Sequence, residues 1–196
     1  NAPKNLIDPI LLRDLDIEEK EYLFYIGNIE PRKNISSYVK AIGPLLRRNK
    51  SLKFVIAGHQ NYLAGNILNP ILEEFPKQVI YLGKITESLK WTLLKYAKFT
   101  VFPSLYEGFG IPVIEAYAAG TPIIFSDNSS LSELALKKDH IFNPLELDDM
   151  LKITENLLYS NNLRNELAIE GLERSKNYSW NSAATATLDI YSNIIK

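Results

Sequence analysis

Two carboxylates astride a glycine-rich turn, in Glu107-Gly-Phe-Gly-Ile-Pro-Val-Ile-Glu115, are the side chains here with the clearest capacity for chemistry. The run Lys98-Phe-Thr-Val-Phe-Pro103 before them has strand character and Pro112 suits the first position of a helix, so the spacing predicts strand, loop, helix. Gly108 and Gly110 permit positive φ and close backbone approach, and the free N–H groups of the following helix carry the positive end of its dipole. That is an address for an anion such as phosphate. Glu115 falls about one turn inside an apolar helix, where an ionised group is costly without a partner; a pair of ligand hydroxyls would be one. Taken alone, the two acids also fit plain roles, Glu115 as a first-turn acid and Glu107 as a solvated loop carboxylate.

A second candidate loop is Gly27-Asn-Ile-Glu-Pro-Arg-Lys-Asn34. Arg32 and Lys33 stand just before a helix start, where the macrodipole disfavours cations, so an anion or a nearby acid is expected to compensate. A diphosphate would do so, and so would Glu30. The Gly-x-Gly-x-x-Gly and Walker spacings are absent, which argues against a nicotinamide dehydrogenase or a P-loop phosphotransferase. His59, in Gly58-His-Gln-Asn61, has neither Ser nor Asp at triad spacing and is left unassigned. Gly83-Lys-Ile-Thr86 could present its backbone to a planar base, and the polar Ser126–Ser132 stretch could line the mouth of a site. With no Cys and two histidines far apart, no metal is expected.

The elements that must position these loops are legible as apolar runs at Tyr22–Ile26, Phe54–Ala57, Val79–Leu82, Phe99–Phe102, Ile123–Phe125 and, weakly, His140–Phe142. Helical periodicity lies between them, including Asn34–Arg47 with an Asn cap and Thr86–Ala97 opening on Thr. Alternating strands and helices predict a Rossmann-like, doubly wound α/β domain with a parallel sheet, whose ligands bind beyond the carboxyl ends of the strands. From Leu147 the pattern turns helical, with a last helix from about Asn181 to Ile195, and Trp180 and Tyr191 are expected to dock these helices. Residues 1–20 read as a lead-in or interdomain linker and 21–196 as the domain.

A net charge of −1 removes the simplest case for nucleic acid as partner. No apolar run approaches the roughly 18 residues that span a bilayer. Zero cysteines exclude a disulfide scaffold and a thiol nucleophile and fit a reducing, cytoplasmic compartment. The chain opens on Asn, and its only Met is Met150, so a missing N-terminal part is expected.

Together, the Gly27–Asn34 loop, Phe102-Pro-Ser-Leu-Tyr-Glu-Gly-Phe-Gly-Ile-Pro-Val-Ile-Glu115 and Ala119-Gly-Thr-Pro-Ile-Ile124 resemble the retaining GT-B-fold glycosyltransferases of family four. The similarity runs from about Tyr22 to Leu158. It implies the nucleotide-sugar donor domain of such an enzyme, with the preceding acceptor domain absent, and a chain inactive without it. By the resemblance, Arg32 and Lys33 match the basic pair holding the donor diphosphate, Glu107 lies beside the donor sugar, and Glu115 binds the ribose hydroxyls. The backbone of Phe109, Gly110 and Ile111 would cradle the distal phosphate and sugar, and Gly27, Lys84 and Ile85 match positions near the phosphate and base. Pro31-Arg-Lys-Asn34 looks most like mannosyltransferases using GDP-mannose, with a UDP-sugar as the alternative donor. Ser132, where those relatives usually carry Pro, and Leu136-Lys-Lys-Asp139, which lacks their Gly-Asp pattern, bear on the donor sugar and not on the fold.

The implied reaction is transfer of a hexosyl group with retention, the departing diphosphate being stabilised by Arg32, Lys33 and the helix dipole instead of a metal. No cofactor beyond the nucleotide-sugar substrate is implied. The acceptor, a glycan or a lipid-linked glycan, and any peripheral contact with the inner face of a membrane would belong to the missing half. A non-catalytic nucleotide-sugar-binding subunit is the alternative, against which the intact set of Glu107, Glu115, Arg32 and Lys33 counts.

Overall fold

The computed structural model describes residues 2–15, 17–61 and 64–194. Six strands, β1 (Tyr22–Ile26), β2 (Lys53–Ala57), β3 (Val79–Tyr81), β4 (Phe99–Phe102), β5 (Ile123–Ser126) and β6 (Ile141–Phe142), form one sheet in the order β3-β2-β1-β4-β5-β6. Every neighbouring pair is parallel. The helices are α1 (Ile10–Arg13), α2 (Ile35–Arg48), α3 (Ala64–Glu74), α4 (Glu87–Tyr96), α5 (Ile111–Ala119), α6 (Leu147–Tyr159), α7 (Asn161–Ser175) and α8 (Trp180–Ile194). This is the doubly wound fold predicted from the alternating pattern.

The strands read as unbroken apolar runs because helices cover both faces of the sheet: β4 and β5 are buried along their whole length. Large tyrosines join this core only because each hydroxyl finds a partner. Tyr22 donates to the Leu93 carbonyl at 2.8 Å, Tyr117 to the Leu134 carbonyl at 2.9 Å, and Tyr38 pairs with the Thr154 hydroxyl at 3.0 Å. The strand order reverses between β1 and β4, so the loops leaving those two strands diverge at a topological switch point, where open α/β sheets bind ligands. Leu105 N–H donates to the Arg32 carbonyl at 2.7 Å and ties the two loops together.

Four expectations are corrected. Asn34 does not cap α2 with its side chain. It sits at φ 57°, between a 3-10 turn (Pro31–Lys33) and α2, and its amide donates to the Pro144 carbonyl at 2.9 Å, so it staples the loop after β6 instead. Of the two loop glycines, Gly110 takes positive φ and Gly108 does not, and Pro112 is the second residue of α5, not the first. Trp180 and Tyr191 dock nothing: they are 83% and 58% exposed, and no described residue of α8 is buried. After Tyr178, which packs against the core, α8 has no buried residue, and no described element covers its apolar side. Ile195, in the predicted last helix, lies outside the described residues, as do Asn1 and Lys196 at the ends of the predicted spans.

At the amino-terminal side, Leu12 and Ile17 are buried, and the segment is stitched to α4 by Asp8 N–H to Thr92 Oγ1 (3.0 Å) and Ser88 Oγ to the Leu6 carbonyl (2.7 Å). His140 precedes β6 and is fully buried. Its Nε2 accepts from Leu136 N–H and its Nδ1 lies 2.9 Å from the Ile123 carbonyl, which together select the tautomer with the proton on Nδ1.

Candidate active site

The loop after β1 carries its two cations straight to the first of the predicted carboxylates. Lys33 Nζ lies 2.5 Å from Glu107 Oε1 and Arg32 Nη1 lies 3.3 Å from the same oxygen, while Arg32 Nη2 reaches Glu30 Oε1 at 2.7 Å. The Lys33 and Glu107 side chains are 8% and 10% exposed, so this is a largely buried pair; Arg32, at 47%, faces solvent. Lys33 Nζ also sits 4.9 Å from the centre of the Phe102 ring, a cation–π contact. Among the described residues, the hydrogen bonds and ion pairs to the Glu107 carboxylate fall on Oε1, which leaves Oε2 for another donor. The compensation predicted for Arg32 and Lys33 thus comes from Glu107 and Glu30 within the protein.

Glu107 opens the turn into α5. Gly110 forms the N-cap at φ 99° and no side chain caps the helix; Pro112 has no N–H and Val113 N–H donates to the Gly110 carbonyl at 2.9 Å, so the Ile111 N–H is the group that the first turn leaves for an anion. A Cβ at Gly110 would come within 2.6 Å of Leu131 Cδ2, so shape and backbone both demand glycine there. Phe109 and Ile111 on either side are about half exposed, while Gly110 between them is buried.

Gly27, Lys84 and Ile85 line one cleft of about 500 Å³ at the ends of β1, β2 and β3. Backbone bonds zip these ends together: Gly27 N–H to the Ala57 carbonyl at 3.0 Å and Gly58 N–H to the Gly83 carbonyl at 2.8 Å. A Cβ at Gly58 would fall 1.8 Å from the Gly27 carbonyl oxygen, so this approach requires glycine. His59, unassigned from the sequence, lines the same cleft. Nearby, burial and the carboxylates of Glu107 and Glu30 push the Tyr25 phenol up, and as a neutral donor it holds the Asn28 carbonyl at 3.1 Å.

Glu115 has a partner that sequence reasoning missed. Lys90, on α4, lines the cleft and places Nζ 2.8 Å from Glu115 Oε1 and 2.8 Å from Glu87 Oε2. Burial pulls the Lys90 pKa down, but hydrogen bonds and charge from Glu115 and Glu87 outweigh it, so the net shift is upward and Lys90 stays charged. The Glu115 carboxylate is therefore not waiting for a ligand to neutralise it, although its Oε2 takes no bond from the protein. The only advance signal was a lysine at i+3 from Glu87. The Asn128–Ser130 segment after β5 was likewise read only as polar lining, whereas it bonds the Glu107 backbone directly.

A larger cleft, about 610 Å³, opens at the ends of β5 and β6; Asp127 and Asn128 of the polar stretch line it, and none of the residues matched to the donor site does. Asn128 and Asp149 there are half-buried and tied to backbone groups, whereas the smaller cleft adjoins the switch point; the chemistry belongs with the latter.

Sheet order, switch-point loops and the uncapped start of α5 define a Rossmann-like domain of the GT-B type. The chain belongs to the family described as glycosyl transferases group 1, whose model matches residues 10–174. Over 185 residues it is 28% identical to O-antigen chain mannosyltransferase B of Escherichia coli, covering 92% of this chain and 48% of that protein. A shorter stretch of 107 residues, 53% of this chain and 26% of the relative, is 34% identical to the MMP alpha-(1->4)-mannosyltransferase of Mycolicibacterium hassiacum. HepE of Anabaena, solved in complex with UDP and glucose, matches in fold with a TM-score of 0.83 at 14% identity, over 98% of this chain and 53% of that one. The chain thus spans about half or less of the length of these proteins. Among the described residues, no helix is long and apolar enough to cross a membrane.

Proposed function

We propose that this chain is the donor-binding part of a retaining, metal-independent hexosyltransferase that moves mannose from GDP-mannose to a glycan or lipid-linked acceptor. The observation that carries this is the buried Lys33–Glu107 pair, flanked by Arg32, beside the uncapped start of α5 at the switch point of the sheet. In this reading the diphosphate meets Arg32, Lys33 and the free N–H groups of Phe109, Gly110 and Ile111. Positive charge preorganised where the leaving oxygen becomes negative does the work a divalent cation does elsewhere. Glu107 steadies the sugar through its free Oε2. Glu115 turns its own free oxygen to the ribose hydroxyls, held by Lys90, and Lys84 and Ile85 flank the base above Gly27.

The mannosyl assignment rests on the two mannosyltransferase relatives and on Pro31-Arg-Lys-Asn34. A UDP-sugar is the second reading, supported by the fold neighbour solved with UDP and glucose. The acceptor site, contact with the inner face of a membrane and transfer activity itself are assigned to sequence outside this chain, and the setting to the cytoplasm.

Calorimetric titration of the chain with GDP-mannose and with UDP-glucose, in EDTA, tests donor and metal together. Heat with GDP-mannose alone supports the proposal; heat with UDP-glucose alone replaces the donor; binding restored only by added Mg²⁺ refutes metal independence. For retention, the anomer of mannose first released from GDP-mannose by the complete enzyme, followed by proton NMR, must be α; β-mannose first would contradict it.

A further inference from the structure

The carboxylate that touches both cations is held from behind by a neighbouring loop. Asn128, Ser129 and Ser130, which follow β5, make four side-chain hydrogen bonds to the backbone of residues 104–107. Glu107 N–H donates to Ser129 Oγ at 3.1 Å, and Ser130 Oγ donates to the Glu107 carbonyl at 2.9 Å. Asn128 Nδ2 donates to the carbonyls of Ser104 at 3.2 Å and Leu105 at 2.7 Å. Ser129 Oγ in turn donates to Asn128 Oδ1 at 3.2 Å, so the two side chains orient one another. Both main-chain polar groups of Glu107 are therefore held by two consecutive hydroxyls.

Ser129 achieves this at φ 47°, in the left-handed region a non-glycine residue enters only at a cost. A serine retained in a conformation that suits glycine better is accounted for by what its hydroxyl does, since such strain persists only where the surroundings dictate it. The bonds also decide which amides remain available. With the Glu107 N–H occupied, the free N–H groups of the turn are those nearer the start of α5, facing the anion position.

We propose that Ser129 and Ser130, oriented by Asn128, are positioning residues for Glu107: they clamp its backbone so that the carboxylate stays against Lys33 and Arg32 while the sugar-bearing end of the donor is bound. This rests on the reading of Glu107 as the residue beside the donor sugar. The clamp selects for the sugar and leaves the nucleotide alone, because among the described residues no hydrogen bond joins it to Glu115, Lys90 or the cleft at β1 to β3.

The test is calorimetry on the full chain with two ligand pairs, GDP against GDP-mannose and UDP against UDP-glucose, using whichever pair the unaltered chain binds. The readout is the ratio of the two dissociation constants within that pair. Ser129→Gly removes the hydroxyl and relieves the left-handed strain, so its melting midpoint is expected to be unchanged or higher. Its ratio is expected to move at least fivefold against the sugar-bearing ligand, with nucleotide affinity within about twofold. Ser130→Ala should shift the ratio in the same direction, and Ser130→Thr, which keeps a hydroxyl, should restore it. Glu107→Gln is the reference and should shift it at least as far. If Glu107→Gln shifts the ratio and neither serine variant does, the clamp is refuted while the donor-site reading stands. If Glu107→Gln leaves the ratio unchanged, or if no pair binds, the reading of Glu107 fails and the clamp with it.

Discussion

Replacing Lys33 with Met strips the ammonium from a side chain that is 8% exposed and leaves Glu107, at 10%, facing Arg32 alone at 3.3 Å. Removing one member of a buried ion pair costs about 3–5 kcal/mol, chiefly because the remaining charge is stranded. Glu107 keeps Arg32 and one free oxygen, so the lower end applies, about 3 kcal/mol. For a domain of this size about 1 kcal/mol moves the midpoint by 2–4 °C, so the melting temperature should fall by about 6–12 °C. Glu107→Gln added to Lys33→Met removes the stranded charge and should return most of that loss, a coupling on the order of 2 kcal/mol between residues in contact. Function should not return with stability. A lost donor to the leaving group costs about 2.7–4 kcal/mol of transition-state stabilisation, so turnover of the complete enzyme should stay down by about 10²–10³ in both variants. Urea and thermal unfolding of the four forms at one salt concentration measures the coupling. Additivity within about 0.5 kcal/mol would refute the buried pair. A double variant with near-normal turnover would refute its role in the chemistry.

Lys90→Met should weaken GDP binding about tenfold, since a hydrogen bond to a charged group contributes about 1.5–3 kcal/mol and Glu115 loses its partner on α4; an unchanged dissociation constant would remove the Lys90–Glu115 pair from the nucleoside site. Gly110→Ala should cost about 1–3 kcal/mol, from positive φ and the 2.6 Å approach to Leu131 Cδ2, and should lower diphosphate affinity as well; a chain that melts like the parent would show that the turn tolerates a side chain. Stability should fall as pH drops below about 6.5, the ordinary histidine value. Burial holds the His140 pKa down despite the Ile123 carbonyl and the charges of Glu170 and Asp139, while Lys137 lowers it further. The unfolded chain then takes up a proton that the folded chain refuses, so the loss sets in below the unfolded value and levels off below the folded one. Chemical denaturation between pH 5 and 8 should show this slope, and His140→Asn should flatten it.

The sheet was legible because parallel strands covered on both faces leave unbroken apolar runs. Tyr22–Ile26 and Phe99–Phe102 coincide with β1 and β4, and the other four runs fall within a residue of their strands. The loops at the strand ends followed from that order, but the contact of Arg32 and Lys33 with Glu107 did not, since the sequence offered an anion or Glu30 as their partner. What stayed hidden depends on contacts distant in sequence. A lysine on a half-exposed helix reads as solvated, and only the fold brings Lys90 to Glu115, 25 positions away. Ser129 and Ser130 read as polar lining of a mouth, and nothing local to them signals the Glu107 backbone on the adjacent strand's loop. Asn34 has a cap residue's identity, but the Pro144 carbonyl claims its amide. Trp180 and Tyr191 suggested docking by size alone, and size does not say where a covering surface lies.

The central claim is that the cation–carboxylate cluster and the open start of α5 hold the diphosphate of a nucleotide sugar without a metal. Thermal unfolding of the chain in EDTA, with GDP, GDP-mannose, UDP or UDP-glucose at about a hundred times the dissociation constant, tests it directly. Such a ligand adds roughly 2.7 kcal/mol, which raises the midpoint by about 5–11 °C in a domain of this size. The account predicts that rise with GDP and GDP-mannose, and its loss in the Lys33→Met/Glu107→Gln double variant. No rise with any of the four ligands, or an equal rise in the double variant, would contradict it.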